Sequence, residues 1–276
     1  MELGISRQIL EGLDYVAKKV VRDTVADRSF LLYSGGVDSS ILAALGVKVS
    51  KDLKLFTLGT RDSSDIKNSE KVPDLDFSNL PLVRKIFGDE DILKSVERVK
   101  PLDLATFSHF EDCVAFTLIF QEISAISKTA VTLVSANGPD ELFCGYDRFR
   151  RIVDTEGYES ANKEILKSLD LARDLQKNIV NLAASFGLKT VEPFLESRFV
   201  DYCINSIPIE LKISKGNDLL RKRAWREYGR FIGLPSTVTN KPKKAMQYST
   251  GLHKNLLNMI KSDDSLKSSI RPLIKR

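Results

Sequence analysis

Two short stretches of this chain set carboxylates and hydroxyls beside glycine turns, a combination suited to holding phosphate together with a divalent cation. The first runs from Ser34 to Ser40 and reads S-G-G-V-D-S-S. Gly35 and Gly36 allow close backbone approaches that side chains forbid. Asp38, Ser39 and Ser40 then open a helix, whose free N–H groups and positive dipole end make an anion site. The hydroxyls of Ser34, Ser39 and Ser40 add donors. Asp38 repels phosphate unless a metal sits between them, and the hard cation that shares carboxylate and phosphate oxygens is Mg²⁺. The second stretch is S-A-N-G-P-D-E, Ser135 to Glu141. Ser135–Gly138 forms a turn, Pro139 suits a first helical position, and Asp140 and Glu141 suit the positive end of a helix. If the strands feeding the two turns are neighbours, Asp140 comes close to Asp38, and the pair can hold Mg²⁺ against phosphates.

Both turns need a strand before them and a helix after. Phe30–Tyr33 is an apolar run of buried-strand length, and Ile41, Leu42, Ala44 and Leu45 give the next helix its apolar face. Val131–Val134 is a second β-rich run. Between them, Lys54–Thr60 reads as a parallel strand. Ligands in open α/β sheets lie past the carboxyl ends of strands. Leu58 and Gly59 are therefore expected beside the Ser34–Asp38 turn, where an adenine ring needs an apolar wall. Residues 5–26 space Ile9, Leu13, Val16, Val20 and Val21 as an amphipathic helix. Residues 61–80 are polar, with a helix start at Ser64-Asp65. A short apolar piece spans Leu82–Phe87, and helices are expected over Asp89–Val99 and Leu104–Ser127, the latter apolar nearly all round and so buried. Helical spacing returns in Ala161–Phe186 and Asp218–Phe231. The expected fold is α/β: a parallel sheet with helices on both faces, and a mostly helical C-terminal portion folded back over the nucleotide site. The expected division is 1–150 for the nucleotide-binding core with its N-terminal helix and 151–276 for the helical part.

Bulk properties narrow the classes. The chain has 276 residues, 42% hydrophobic and 29% charged, ordinary values for a globular protein. The net charge of +5 is unevenly spread, since Lys212–Arg276 carries 16 Lys/Arg against 4 Asp/Glu. Such an end reads as a solvated surface, a phosphate-facing wall or a nucleic-acid patch. Three cysteines without a C-x-x-C pair and two histidines argue against a zinc site. They suit a reducing cytoplasm, the predicted location. No signal-peptide pattern opens the chain, and its most apolar segment, Val114–Phe120, is too short to span a bilayer.

The string S-G-G-x-D-S arises by chance in roughly one chain in two thousand of this length. It is not a Walker motif, because no G-K-[ST] follows. It resembles the PP-loop of ATP pyrophosphatases, which split ATP into AMP and pyrophosphate. Taken with S-A-N-G-P-D-E-L-F-C-G-Y, V-E-P-F-L-E-S-R-F-V, I-P-I-E-L-K and K-P-K-K-A-M-Q-Y-S-T-G, it resembles the synthetase domain of asparagine synthetase, from about Asp27 to Leu252. That resemblance implies that ATP adenylates an aspartate-like acid, releasing pyrophosphate, and that ammonia then displaces AMP to give the amide. It implies Mg²⁺ on Asp38 and Asp140 and pyrophosphate on the turn Ser34, Gly35, Gly36, Ser39 and Ser40. Adenosine is expected near Leu32, Leu58, Gly59, Ser135, Ala136 and Gly138. Lys243 or Lys244 is expected at the developing charge, and Tyr146 and Arg148 against substrate. Arg221, Arg223, Arg226 and Arg230 are candidates for a face turned to the phosphates. His109 reads as a core or surface residue.

The departures from the family pattern lie around the acceptor. Its S-G-E-G carries Glu where this chain has Asn137, a candidate catalytic position that can hydrogen-bond but cannot act as a base. Its R-V-P-F-L-D carries Arg and Asp where this chain has Val191 and Glu196, and an Asp-Arg pair appears as Val180-Asn181. The 28 residues before the first motif have no room for a glutaminase domain, and position 2 is Glu2. The nitrogen is thus expected from free ammonia or a separate glutaminase subunit, and a homodimer is compatible. The alternatives are a tRNA-modifying PP-loop ATP pyrophosphatase and a catalytically degenerate nucleotide-binding relative. Missing paired cysteines argue against the first, and with it against nucleic acid.

Overall fold

A computed structural model describes residues 4–72, 75–127, 129–216 and 218–274. Within these residues a five-stranded sheet has the order β3-β2-β1-β4-β5, with every pair parallel. The strands are β1 (Arg28–Leu32), β2 (Asp52–Gly59), β3 (Leu82–Ile86), β4 (Thr132–Val134) and β5 (Lys189–Val191). Successive side chains point to opposite faces, and the pattern is visible in the core. Leu31, Leu55 and Val134 pack with α1 (Arg7–Thr24), α2 (Val37–Gly46), α9 (Ser197–Ser206) and α11 (Arg223–Phe231). Phe30, Phe56 and Leu133 pack with α4 (Asp89–Val99), α5 (Phe107–Ile126) and α14 (Leu252–Ser262). Helices therefore cover both faces, as the parallel strands require.

Several expected elements form nearly where their periodicity puts them. The amphipathic stretch is α1, capped by the Ser6 side chain accepting from Ile9 N–H. The all-round apolar stretch is α5, capped by Thr106. Ser64-Asp65 opens α3 (Ser64–Ser69), and Ala161–Phe186 overlaps α8 (Tyr158–Ser185), with Phe186 as its C-cap. Residues 73 and 74 of the polar stretch lie outside the described residues. The portion after residue 150 is mostly helical, and it also supplies β5, which pairs with β4 through Thr132↔Lys189 and Val134↔Val191.

One boundary differs in an instructive way. Helical spacing begins at Asp218, but α11 begins at Arg223, because Arg221 and Lys222 both adopt left-handed angles, each with φ of 53°. Two consecutive non-glycine residues in that region cost about 1–2 kcal/mol each. Something outside the helix must hold them there.

The strand order locates the ligand crevice. From β1 the chain moves one way to β2 and β3, whereas β4 lies on the other side of β1. The loops after β1 and β4 diverge at this switch point, where α/β sheets open a binding crevice. The Ser34–Asp38 turn follows β1 and the Ser135–Asp140 turn follows β4.

Candidate nucleotide site

The turn after β1 is tied down from three sides. Ser34 N–H donates to Ser39 Oγ at 3.2 Å, Asn68 Nδ2 to Ser34 O at 3.1 Å, and Lys241 Nζ to Gly35 O at 3.0 Å. Gly35 has φ of 67°, and a Cβ there would lie 2.6 Å from Cβ of Asn68, so glycine is required both by angle and by space. No side chain caps the first turn of α2, which leaves its N–H groups for an anion. The cleft over this turn is lined by Leu32, Ser34, Asp38, Ser39 and Leu58 from one side of the switch point, and by Ser135, Ala136, Asn137 and Asp140 from the other. Gly35 and Gly36 border adjoining walls. Ser40 is fully buried in α2, and Gly59 packs its missing side chain against Ser63; neither lines the cleft. Gly138 borders a second chamber beyond Asn137.

Asp38 and Asp140, about a hundred residues apart, converge on one ammonium group. Lys222 Nζ lies 2.6 Å from Asp38 Oδ2 and 2.8 Å from Asp140 Oδ1, and the lysine is wholly buried. This is what holds the left-handed turn before α11. The stem of Lys222 reaches the pair past Gly145, where a Cβ would overlap both the Asp140 carboxylate and Lys222 Cε. Trp225 Nε1 donates to Asp38 Oδ1 at 2.9 Å. Lys243 Nζ pairs with Asp140 Oδ2 at 2.6 Å. Burial alone would raise the Asp140 carboxyl, but Lys222 and Lys243 overrule it and hold it below the usual carboxylate range. Burial lowers Lys243 in turn, and Asp140 and then Asp38 reverse that and lift it above the usual lysine range.

The lysine-rich loop is pinned at both ends. Arg226, 2% exposed, donates to the carbonyls of Leu220, Arg221, Thr239 and Lys241. It thus joins the Lys222 turn to the start of the loop. At the far end, Thr60 N–H donates to Thr250 O at 2.9 Å and Ser249 Oγ to Asp65 Oδ2 at 2.8 Å. Lys243 and Lys244 both line the cleft. Lys243 also lines the second chamber, whereas Lys244 donates to Ser64 Oγ at 3.3 Å.

The second chamber lies across Asn137, Asp140 and Lys243 from the cleft and is bordered by His109, Asp112, Glu141, Tyr146 and Arg148. Tyr146 O–H donates to Glu141 Oε1 at 2.6 Å, and Arg148 pairs with Glu164 at 2.8 Å while stacking on Tyr146. Burial, followed by the charge of Glu111 on Asp112 and of Asp140 on Glu141, pushes both carboxyls up to about 7.

A profile of the asparagine synthase family matches residues 13–181 and 167–270. This chain belongs to the asparagine synthase family. It is 28% identical to a putative glutamine-hydrolysing asparagine synthetase of Methanocaldococcus jannaschii over 96% of its own length and 54% of that protein. It is 31% identical to the glutamine-hydrolysing asparagine synthetase of Rattus norvegicus, over 80% of this chain and 39% of that one. The corresponding figures for the Homo sapiens enzyme are 30%, 86% and 41%. The chain thus spans about half the length of these curated relatives, or less.

Within this asparagine synthase fold, the four arginines do not share one role. Arg226 is absorbed by backbone carbonyls, Arg221 pairs with Asp147, and Arg230 pairs with Glu227 and Asn240. Only Arg226 among them also borders the adjoining pocket beside the Ser34 turn. His109 lines the second chamber rather than the core. Cys113, Cys144 and Cys203 are buried and unbridged, and burial pushes the first two thiols up to about 12. Among the described residues no helix is long and apolar enough to cross a membrane. Three site residues have no site role legible in the sequence: Lys222, Asp65, which lies at a predicted helix start, and Glu192, which lies within V-E-P-F-L-E. The last accepts from Asn137 Nδ2 at 2.6 Å and from Ser135 Oγ at 3.1 Å.

Proposed function

We propose that this chain is the ATP-using part of an amide-forming ligase. An aspartate-like carboxylate attacks the α-phosphorus of ATP, pyrophosphate leaves, and an acyl-adenylate forms. Ammonia then attacks the acyl carbon, AMP leaves with the electron pair of the broken C–O bond, and one proton is released. The observation that carries this reading is the convergence of Asp38 and Asp140, each just past the carboxyl end of a neighbouring strand, on a single cation beside an uncapped helix start.

The donor set fits Mg²⁺, which binds through one or two carboxylates plus substrate phosphates. Lys222 Nζ now spans the two carboxylates, so an ion held by both would share them with that ammonium group or displace it. Asp38 and Asp140 would hold the ion, which when bound offsets the repulsion between the phosphates and the attacking acid. The Ser34–Ser39 turn and the start of α2 take the pyrophosphate end, and Leu32, Leu58, Ser135 and Ala136 flank the adenosine. Lys243 rather than Lys244 stands at the charge that develops between the two groups, since it alone of the two borders both chambers. The second chamber takes the acceptor acid and admits the nitrogen, from solution or from a glutaminase partner. Arg148 supplies a cation at its edge, and His109, which burial holds toward the neutral form, an imidazole.

The deciding assay is ATP–pyrophosphate exchange with a panel of amino acids and other carboxylic acids, followed by AMP release on adding ammonia. Exchange with aspartate and ammonia-dependent AMP are expected. Exchange with none of the acids would sink the reading.

A further inference from the structure

β4 and β5 end side by side, and their ends carry a buried polar cluster that the nucleotide site does not explain. Ser135 N–H donates to Val191 O at 3.1 Å, so Ser135 sits next to Glu192 in register. Pro193 follows and keeps Glu192 extended, with φ of −131° and ψ of 84°. Glu192 is 4% exposed. Its Oε1 takes both hydrogen bonds, from Asn137 Nδ2 and Ser135 Oγ, and its Oε2 is buried with no hydrogen-bond partner among the described residues. A carboxylate so placed costs stability, and no packing role demands it.

What the arrangement does is fix an amide. A side-chain amide is a donor at one end and an acceptor at the other. An ionised carboxylate accepts only, so Glu192 can bind only the NH₂ end of Asn137. The carbonyl end is left for the open side, and Asn137 lines both the nucleotide cleft and the second chamber. We propose that Glu192 is a positioning residue: by holding the Asn137 NH₂ group it turns Asn137 Oδ1 toward the junction of the two chambers, where Oδ1 accepts a hydrogen bond from an N–H of the incoming nitrogen nucleophile. This rests on the amide-forming reading above. It gives the carboxylate missing from position 137 a place one hydrogen bond further back. Burial pushes the Glu192 carboxyl up to about 7, with the bonds from Asn137 and Ser135 opposing it, and no charged side chain figures among the causes. Once protonated, Glu192 can donate as well as accept, and the amide is free to turn.

The tests are Glu192→Met, which removes the charge and both acceptor bonds, and Glu192→Gln, which keeps an acceptor but can present its NH₂ end to Asn137 instead. Ammonia-dependent amide formation is expected to fall about tenfold in Glu192→Met, the worth of one hydrogen bond, and less in Glu192→Gln. ATP–pyrophosphate exchange, which needs no nitrogen, should fall much less than amide formation. The wild-type kcat for amide formation should rise with pH through about 7, and that limb should vanish in both variants. Adding Asn137→Asp to Glu192→Gln should restore part of the rate, because the amide introduced at position 192 can then donate to a carboxylate acceptor at position 137. Equal loss in exchange and amide formation, or no loss in either, overturns the proposal. If the wild type shows no exchange at all, the functional reading fails, yet the positioning claim is still decided by ¹⁵N NMR. One N–H of the Asn137 side chain should be protected from solvent exchange in the wild type and not in Glu192→Met; equal exchange in the two overturns it.

Discussion

Lys222 is the residue on which the site turns, and its removal should be costly in a specific way. Lys222→Met would take the shared ammonium group from two part-buried carboxylates, leaving Asp38 to Trp225 and Asp140 to Lys243. Breaking a fully buried pair costs about 3–5 kcal/mol, and the remaining partners hold the loss below that. The expected result is a drop in thermal stability that millimolar Mg²⁺ partly reverses, since the ion can take the place of the ammonium group; a melt without recovery on adding Mg²⁺ would count against a metal between Asp38 and Asp140. Asp65 offers a second test. It is 4% exposed, and burial pushes it up to about 7 despite Ser249 and the lysines 241, 243 and 244. The folded chain therefore binds that proton more tightly than the unfolded one. The stability it contributes is full below about pH 4 and is lost as pH rises through 7. Asp65→Asn should accordingly gain on the wild type as pH is raised from 5 to 8, measured by denaturant midpoint. Asp38 and Asp140 are legible in the sequence because glycine turns announce them. Lys222, Asp65 and Glu192 are not, because each acts through a partner distant in sequence, and only the fold brings Lys222 across 184 residues to Asp38.

At the scale of elements, the strand–turn–helix units can be read because their physics is local. An apolar run, a glycine turn and a capped or amphipathic helix each leave a pattern within a dozen residues. The start of α11 cannot, because its two left-handed residues are imposed by contacts with carboxylates on other elements. The same reasoning explains the four arginines. Their spacing suggests one face, yet Arg226 serves as the joint between the Lys222 turn and the lysine loop. Gly145 is the corresponding joint on the β4 side. Gly145→Ala should push the Lys222 stem from the carboxylates and weaken ATP binding at least tenfold, with far-UV circular dichroism unchanged; isothermal titration measures it. Unaltered affinity would mean that the stem can pass elsewhere.

At the scale of the whole molecule, the cleft is assembled from residues 32 to 250, drawn from β1, β2, the β4 turn and the lysine loop. A ligand that touches all of these can bind only the folded chain. ATP at a hundredfold its Kd should therefore raise stability by about 2.7 kcal/mol. Hydrogen exchange should slow together in α2, in the turn after β4 and in the lysine loop. Protection confined to one of them would show that the cleft does not act as a unit. The sheet order supports the stronger expectation, since the switch point lies between β1 and β4 and both flanking turns must be in place for a crevice to exist.

The chain has a single tryptophan, and its indole N–H donates to Asp38 Oδ1. The protein thus carries its own optical reporter at that carboxylate. Any cation or phosphate that changes the charge on Asp38 changes the field across that indole, so intrinsic fluorescence should follow occupancy of the site in real time, without a label. Asp38→Asn should silence the signal even where nucleotide still enters.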